Sequence, residues 1–251
     1  MIDLTGRTVV VTGGNSGLGL GMAHGLGRAG ASVAVWSRTA SRNDAAVADL
    51  RAAGIDASSV ACDTADEAGV EEAMARTLER HGKIDSLFAN AGISDDAPFL
   101  DTSLEQWHHV MRTNLDGTFL CTRAVARHLV ERGEGGSMVV VSSTISRYGG
   151  VGMAAYGTSK SGLVGLGRTL AVELARHKVR VNILIPGWTA TAMNDYLREN
   201  EAFVRATTAR TPARRWATPE EFHEVATFLA EPSLTFHTGN EVIVDGGYTV
   251  Y

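Results

Sequence analysis

The heptapeptide "AAYGTSK" sets Tyr156 four residues ahead of Lys160 among small side chains. Residues at i and i+4 share a helix face, so an ammonium there stands beside a phenol. A free phenol ionises near pH 10, too high for proton transfer at neutral pH, and a nearby cation favours the phenolate. A shift of about two to three pH units is worth roughly 3 to 4 kcal/mol and makes tyrosine a usable acid and base. The lysine is one of three in the chain, against twenty arginines. It supplies a compact point charge that a planar guanidinium does not reproduce. Two more polar residues fall at suggestive places: Ser143 closes the apolar run "SMVVVSS" thirteen residues before Tyr156, and Asn114 lies in "MRTNLDGTF". Each has a plainer reading. Ser142 is the rival exposed hydroxyl, and Asn114 is also suited to satisfying backbone groups at a helix irregularity.

A second chemistry-bearing stretch is "TVVVTGGNSGLG", with Gly13, Gly17 and Gly19 between an apolar run and a helical pattern. Glycines there permit a tight turn and close approach of a pyrophosphate, which the amides at a helix N-terminus favour. Asn15, Ser16 and Leu18 fill the same loop. The spacing departs from both the G-x-G-x-x-G fingerprint and the P-loop. The next apolar run ends "VAVWSRT", with Ser37 and Arg38 where an NAD site carries Asp or Glu for the ribose hydroxyls. The missing carboxylate and the arginine favour NADP(H) over NAD(H), because a guanidinium pairs well with a 2′-phosphate. The alternative for Arg38 is a solvent-facing residue at a helix start.

Short β-branched runs alternate with helical patterns along the whole chain and must position these residues. Strands are expected at 7–13, 31–36, 56–63, 83–92, 136–143, 179–187 and 240–247, and helices at 17–29, 40–53, 66–81, 103–132, 152–177, 190–205 and 219–230. The fold class is α/β: a Rossmann-type doubly wound parallel sheet of about seven strands in a single domain, residues 1–251. The stretch 187–218 interrupts the rhythm just past a strand end, where ligands of such sheets bind. It reads as a substrate lid or as a packed helical excursion.

Of 251 residues 44% are hydrophobic and 20% charged, with a net charge of −5, which excludes disorder and offers no basic footprint for nucleic acid or anionic lipid. Apolar runs are too short to span a bilayer and no leader pattern opens the chain, so a cytoplasmic location is expected, with no membrane partner. Cys62 and Cys121 have no metal or CxxC spacing and read as reduced thiols. Adjacent His108 and His109 point different ways on a helix, so no metal site is expected.

Taken together, "TGGNSGLG", "NAG" at 90–92, Asn114, Ser143, Tyr156, Lys160 and the "PG" at 186–187 resemble the short-chain dehydrogenase/reductase family over essentially the whole chain. The resemblance implies that Tyr156 exchanges the proton of the substrate oxygen and that Ser143 hydrogen-bonds that oxygen. Lys160 would lower the Tyr156 pKa, with an oxidised nicotinamide, and hold the nicotinamide ribose; Asn114 would maintain a proton relay. On the cofactor side it implies Asp63 at the adenine, Asn90, Ala91 and Gly92 at a strand end, and Pro186, Gly187, Thr189 and Thr191 near the nicotinamide and phosphates. Asp63 is equally suited to a turn or a helix N-cap. The expected reaction moves hydride between nicotinamide and a secondary alcohol/ketone pair.

Substrate contacts are expected from Ser94, Ile145, Arg147, Tyr148, Met153, Trp188, Met193 and Tyr196, with Arg147 suited to a carboxylate. The stretch "RTPARRWATPEEF" resembles the family branch acting on sugar acids and polyols. A 3-oxoacyl thioester or a bulky ketone is the alternative substrate, and a cofactor-binding regulator without turnover the alternative function. The partner expected beyond a small molecule is a second copy of the chain, in a homodimer or homotetramer through helices 103–132 and 152–177.

Overall fold

The computed structural model describes residues 2–251. Its strands are β1 (Thr8–Thr12), β2 (Ser32–Ser37), β3 (Ala57–Ala61), β4 (Ser86–Ala89), β5 (Gly136–Val141), β6 (Val179–Pro186) and β7 (Glu241–Val244). They form one sheet in the order β3-β2-β1-β4-β5-β6-β7, every pairing parallel. The expected seven-stranded doubly wound sheet is therefore present. The chain leaving β1 turns one way and the chain leaving β4 the other, so a crevice opens between their carboxyl ends.

Side chains alternate across each strand, and helices cover both faces. Val9 and Val11 pack with Met22, Leu26 and Phe222, whereas Val10 faces the opposite layer with Trp36, Leu129 and Leu163. The largest buried side chain, Trp36, has its indole nitrogen satisfied by the Thr77 hydroxyl at 2.9 Å.

The helices are α1 (Gly17–Arg28), α2 (Ala40–Ala52), α3 (Glu67–His81), α4 (Leu104–Met111), α5 (Gly117–Arg132), α6 (Ala154–Leu174), α7 (Asp195–Arg198), α8 (Glu201–Arg210) and α9 (His223–Ala230). Three expected helices are more broken than periodicity implies. The segment 103–132 contains a π turn, Arg112–Asp116, between α4 and α5. The region 190–205 becomes a 3-10 turn, α7 and α8, because the Asn200 side chain accepts the Phe203 amide and starts a new helix. The helix at 219–230 begins as a 3-10 turn, with Pro219 in its first turn behind a Thr218–Glu221 capping box.

The α1 helix is seated by its glycines. A Cβ at Gly21 would lie 2.3 Å from the Pro219 carbonyl oxygen, and one at Gly25 would lie 2.5 Å from the His223 Cα. Backbone therefore packs on backbone, fixing the direction in which α1 leaves the glycine loop. The excursion at 187–218 is closed at its base: Ala217 N donates to Trp188 O, and Ala190 N donates to Ala217 O, both at 2.9 Å. Trp188 stacks on Trp216 with centroids 5.2 Å apart, and Phe203 sets its edge against both rings.

Candidate active site

Where β1 ends, Gly13 and Gly17 adopt φ of +64° and +51°, backbone that favours glycine. A Cβ at Gly19 would stand 2.3 Å from the Gly13 carbonyl oxygen, so the loop folds this tightly only with glycine there. Ser16 precedes α1 without a side-chain cap bond. The first amides of the helix thus remain available to an anion.

The loop is held from behind. Asn90 Nδ2 donates to Thr12 O at 3.0 Å, and the Thr12 hydroxyl accepts the amides of Asn90 and Ala91 at 2.9 Å each, tying the ends of β1 and β4 together. On the other side Asn15 Nδ2 donates to Asn43 Oδ1 at 2.9 Å, and Asn43 Nδ2 donates to Ser37 O at 2.8 Å. Asn43 is buried and joins the loop to the end of β2. Asn43→Ala leaves buried polar groups unpaired, an expected loss of about 1 to 3 kcal/mol in stability and a weaker grip on nucleotide. Urea unfolding and nucleotide titration of the variant measure both, and wild-type values in each would remove Asn43 from this role.

A cleft of about 330 Å³ runs along these strand ends and gathers every nucleotide contact expected from the sequence, from Gly13 through Lys160 to Thr191. Arg38 lies exposed on its rim, and so does Arg42, one helical turn further along in α2. Neither forms an ion pair among the described residues. Arg42 stands in no motif, although its spacing of four from Arg38 is a readable signal. Asp63 reaches the cleft from a turn in which its Oδ1 accepts the Ala65 amide; the cap of α3 is Asp66. The Thr189 hydroxyl is turned onto Gly187 O at 3.1 Å. A Cβ at Gly92 would lie 3.2 Å from Asn114 Oδ1 and 3.3 Å from Lys160 Nζ, close enough to press on both side chains. An extended nucleotide fits this cradle of glycines, open helix amides and rim arginines.

Asn114, Ser143, Tyr156 and Lys160 converge where α6 crosses the ends of β4 and β5. Both Ser142 and Ser143 line the cleft, but the buried Ser142 hydroxyl donates to Lys160 O at 2.7 Å and pins the helix to β5, whereas Ser143 is half-buried and its hydroxyl makes no such bond to α6. Lys160 is 4% exposed, and its Nζ donates to Val141 O at 2.9 Å. The ammonium sits over the Tyr156 ring, 5.7 Å from its centroid. Asn114 is wholly buried in the π turn; its amide donates to Ile93 O and to the Ser159 hydroxyl, and its Oδ1 accepts the Ile93 amide at 2.8 Å. A π turn at such a position is a frequent mark of a functional site. The Ser159 hydroxyl in turn donates to Tyr156 O, linking Asn114 to α6.

Burial raises the Tyr156 phenol above its ordinary range, an effect that the nearby Ser143 hydroxyl only partly opposes. Burial also pushes Lys160 down to about 8. Both shifts have the cause that sequence spacing cannot express: a charge placed in this packed corner loses its water.

A second chamber of about 460 Å³ shares Ser143, Tyr156, Gly187, Met193 and Asn194 with the cleft. Ser94, Ile145, Tyr148, Met153, Trp188, Met193 and Tyr196 line it as expected. Arg147 does not. It is exposed and pairs with Glu241 of β7, which also engages Arg168, so its charge is satisfied outside the chamber. The cation in the chamber is Arg210 of α8, beside Tyr248 from the C-terminal end; neither carried a motif. Among the described residues no group of three or more His, Cys, Asp or Glu could hold a metal, and both cysteines are buried free thiols.

The chain is similar over its whole length to named oxidoreductases. Residues 13–249 match the family described as enoyl-(acyl carrier protein) reductase. The gluconate 5-dehydrogenase of Gluconobacter oxydans is 36% identical over 250 residues, covering 100% of this chain and 97% of that protein. A 3-oxoacyl-[acyl-carrier-protein] reductase of Chlamydia pneumoniae is 34% identical, covering 99% of each. Among solved structures, a gluconate 5-dehydrogenase from Burkholderia cenocepacia in complex with NADP and tartrate superposes with a TM-score of 0.95 at 34% identity, over 99% of this chain and 97% of that one.

Proposed function

The chain belongs to the short-chain dehydrogenase/reductase family, and from that premise we propose that it uses NADP(H) to interconvert a secondary alcohol and its ketone with Tyr156 as the acid and base. The observation that carries this reading is the shared wall of the two chambers. Tyr156 and Ser143 are the hydroxyl-bearing residues common to both. A substrate oxygen there meets a proton donor and a hydrogen-bond partner together.

The cofactor, when bound, supplies or accepts the hydride. The rest of the chemistry falls to the chain. In the reducing direction the Tyr156 phenol hands its proton to the substrate oxygen as charge builds on it, and the Ser143 hydroxyl orients that oxygen. The Lys160 ammonium stabilises the phenolate left behind, and its place in the cleft suits it to a ribose hydroxyl. Asn114 acts through position, holding the backbone of Ile93 and, through Ser159, the turn of α6 that carries Tyr156. The elevated Tyr156 pKa keeps the phenol protonated, the form that reduction needs.

Preference for NADP(H) rests on Arg38 and Arg42 at the rim and the absent carboxylate at the end of β2. Arg38→Ala is expected to weaken NADPH binding about 10- to 100-fold, the worth of a charge-assisted hydrogen bond, and to leave NADH within about 3-fold. Equal losses for the two cofactors in a fluorescence titration would sink the phosphate assignment.

Relatives named for gluconate and for 3-oxoacyl groups support a ketone or alcohol substrate. The sequence favours a sugar acid or polyol, with a 3-oxoacyl thioester or a bulky ketone as the alternative, and the apolar lining of the chamber shifts the weight to the bulky ketone. Phe119 on α5 is 45% exposed and Val172 on α6 83%, which supports pairing of two copies along these helices. The test of function is nicotinamide absorbance with NADPH and NADH against sugar acids, polyols, cyclic ketones and 3-oxoacyl thioesters. Turnover with one class establishes the reading, and silence across the panel despite bound NADPH would favour a cofactor-binding regulator.

A further inference from the structure

The chamber beyond Tyr156 is walled largely by carbon: Ile145, Met153, Trp188, Leu197, Phe203 and the rings of Tyr148 and Tyr248. Its polar groups are mostly committed to one another. Asp96 accepts the Tyr196 hydroxyl at 2.6 Å and the Ser94 hydroxyl, while the Thr207 hydroxyl donates to Phe203 O and accepts the Trp216 indole N–H. A polyhydroxylated substrate would surrender several water contacts here for few replacements, each unpaired group costing about 1 to 3 kcal/mol.

Arg210 is the exception. Its guanidinium lies 4.3 Å from the Tyr248 ring centroid and 5.0 Å from that of Tyr148, with only a long 3.5 Å contact from Nη1 to the Tyr248 hydroxyl. Among the described residues no carboxylate lies within 4.0 Å of it, whereas Arg147, Arg168, Arg205 and Arg215 are paired with carboxylates and Arg214 donates to Ala209 O. Two aromatic faces thus hold the plane of the cation and leave its fork of N–H donors unspent. A second donor in the same wall is idle: the Trp188 indole nitrogen is buried with no acceptor.

Resting on the oxidoreductase reading above, we propose that this chamber takes a ketone, or the corresponding alcohol, with a planar apolar body and a carboxylate that pairs with Arg210. The aromatic walls receive the body, and Arg210, which lines this chamber and not the nucleotide cleft, receives the charge away from the reacting carbon. Arg210 is then a specificity-determining residue.

Binding of unreactive probes tests this without requiring turnover. Protein saturated with NADP⁺ is titrated calorimetrically with 2-naphthoate, 2-naphthamide and gluconate, for the wild type, Arg210→Gln and Arg210→Lys. Naphthoate is expected to bind at least about 10-fold more tightly than the amide or gluconate. Arg210→Gln should cut naphthoate affinity about 10- to 100-fold and leave the amide within about 3-fold, with Arg210→Lys between, since the charge stays and the fork is lost. Equal binding of acid and amide, equal losses in the glutamine variant, or no binding of naphthoate would overturn the anchor; tighter binding of gluconate would overturn the apolar body. Failure of the oxidoreductase reading is read separately, in the fluorescence titration of NADPH and NADH and in the turnover panel. Melting temperatures of both variants show whether a lost preference is local.

Discussion

Tyr156→Phe is expected to lower kcat by about 100- to 10,000-fold, the range of a positioned general acid, while NADPH affinity stays within about 3-fold of wild type. The substitution removes one oxygen and leaves the ring that Lys160 overlies. Burial raises the Tyr156 pKa, so the phenol is protonated through neutral pH and carbonyl reduction should not weaken on its account until the medium is well alkaline. Alcohol oxidation needs the phenolate and should climb as pH rises toward that elevated value. Steady-state rates in both directions across pH 6 to 10, with NADPH binding followed by fluorescence, check the whole statement. Retained turnover in the phenylalanine variant would take Tyr156 out of the chemistry, and a parallel loss of NADPH binding would make the effect structural.

The strands, the glycine loop and the spacing of Tyr156 from Lys160 were legible because each rests on local sequence: β-branched runs, positive-φ glycines and helix periodicity. The same locality explains the misreadings. Arg147 follows a strand end beside Ser143 and reads as a substrate contact, yet Glu241, nearly a hundred residues away in sequence, captures it. Arg210 has no motif around it, and its place in the chamber depends on how α8 folds back and on Tyr248 at the far end of the chain. The π turn at Asn114 is likewise invisible in hydrophobic periodicity, because its side-chain partners are the backbone of Ile93 and the hydroxyl of Ser159. Ser142 and Ser143 are adjacent and chemically alike, and only the packing of α6 against β5 gives one a structural bond and leaves the other on the wall shared by the cleft and the chamber. Charge and burial that depend on long-range packing are what sequence spacing could not supply.

Lys160→Met should separate activity from stability in opposite senses. Burial pushes the Lys160 pKa from 10.5 down to about 8, which at 1.36 kcal/mol per pH unit means that the folded protein bears about 3 kcal/mol for keeping this ammonium. Below pH 8 both folded and unfolded chains carry the charge and the penalty is complete. Between about 8 and 10.5 the unfolded chain still holds a proton that the folded chain has released, so wild-type stability rises with pH across that window. Methionine fills similar space without a charge and has no such slope. The stability of the variant relative to wild type is therefore expected to fall by about 2 to 3 kcal/mol from pH 7 to pH 10, whatever offset the lost bond to Val141 O contributes. Its kcat should drop about 100-fold or more, because the phenolate of Tyr156 loses its neighbouring cation. Wild-type reduction should decline as pH passes through about 8, where the ammonium gives up its proton, so the loss in the reducing direction follows Lys160 and precedes ionisation of Tyr156. Urea unfolding of both proteins at pH 7, 8, 9 and 10 measures the slope. A stability difference that stays flat would mean that the ammonium is solvated in the folded protein, and unchanged turnover would mean that its charge serves packing alone.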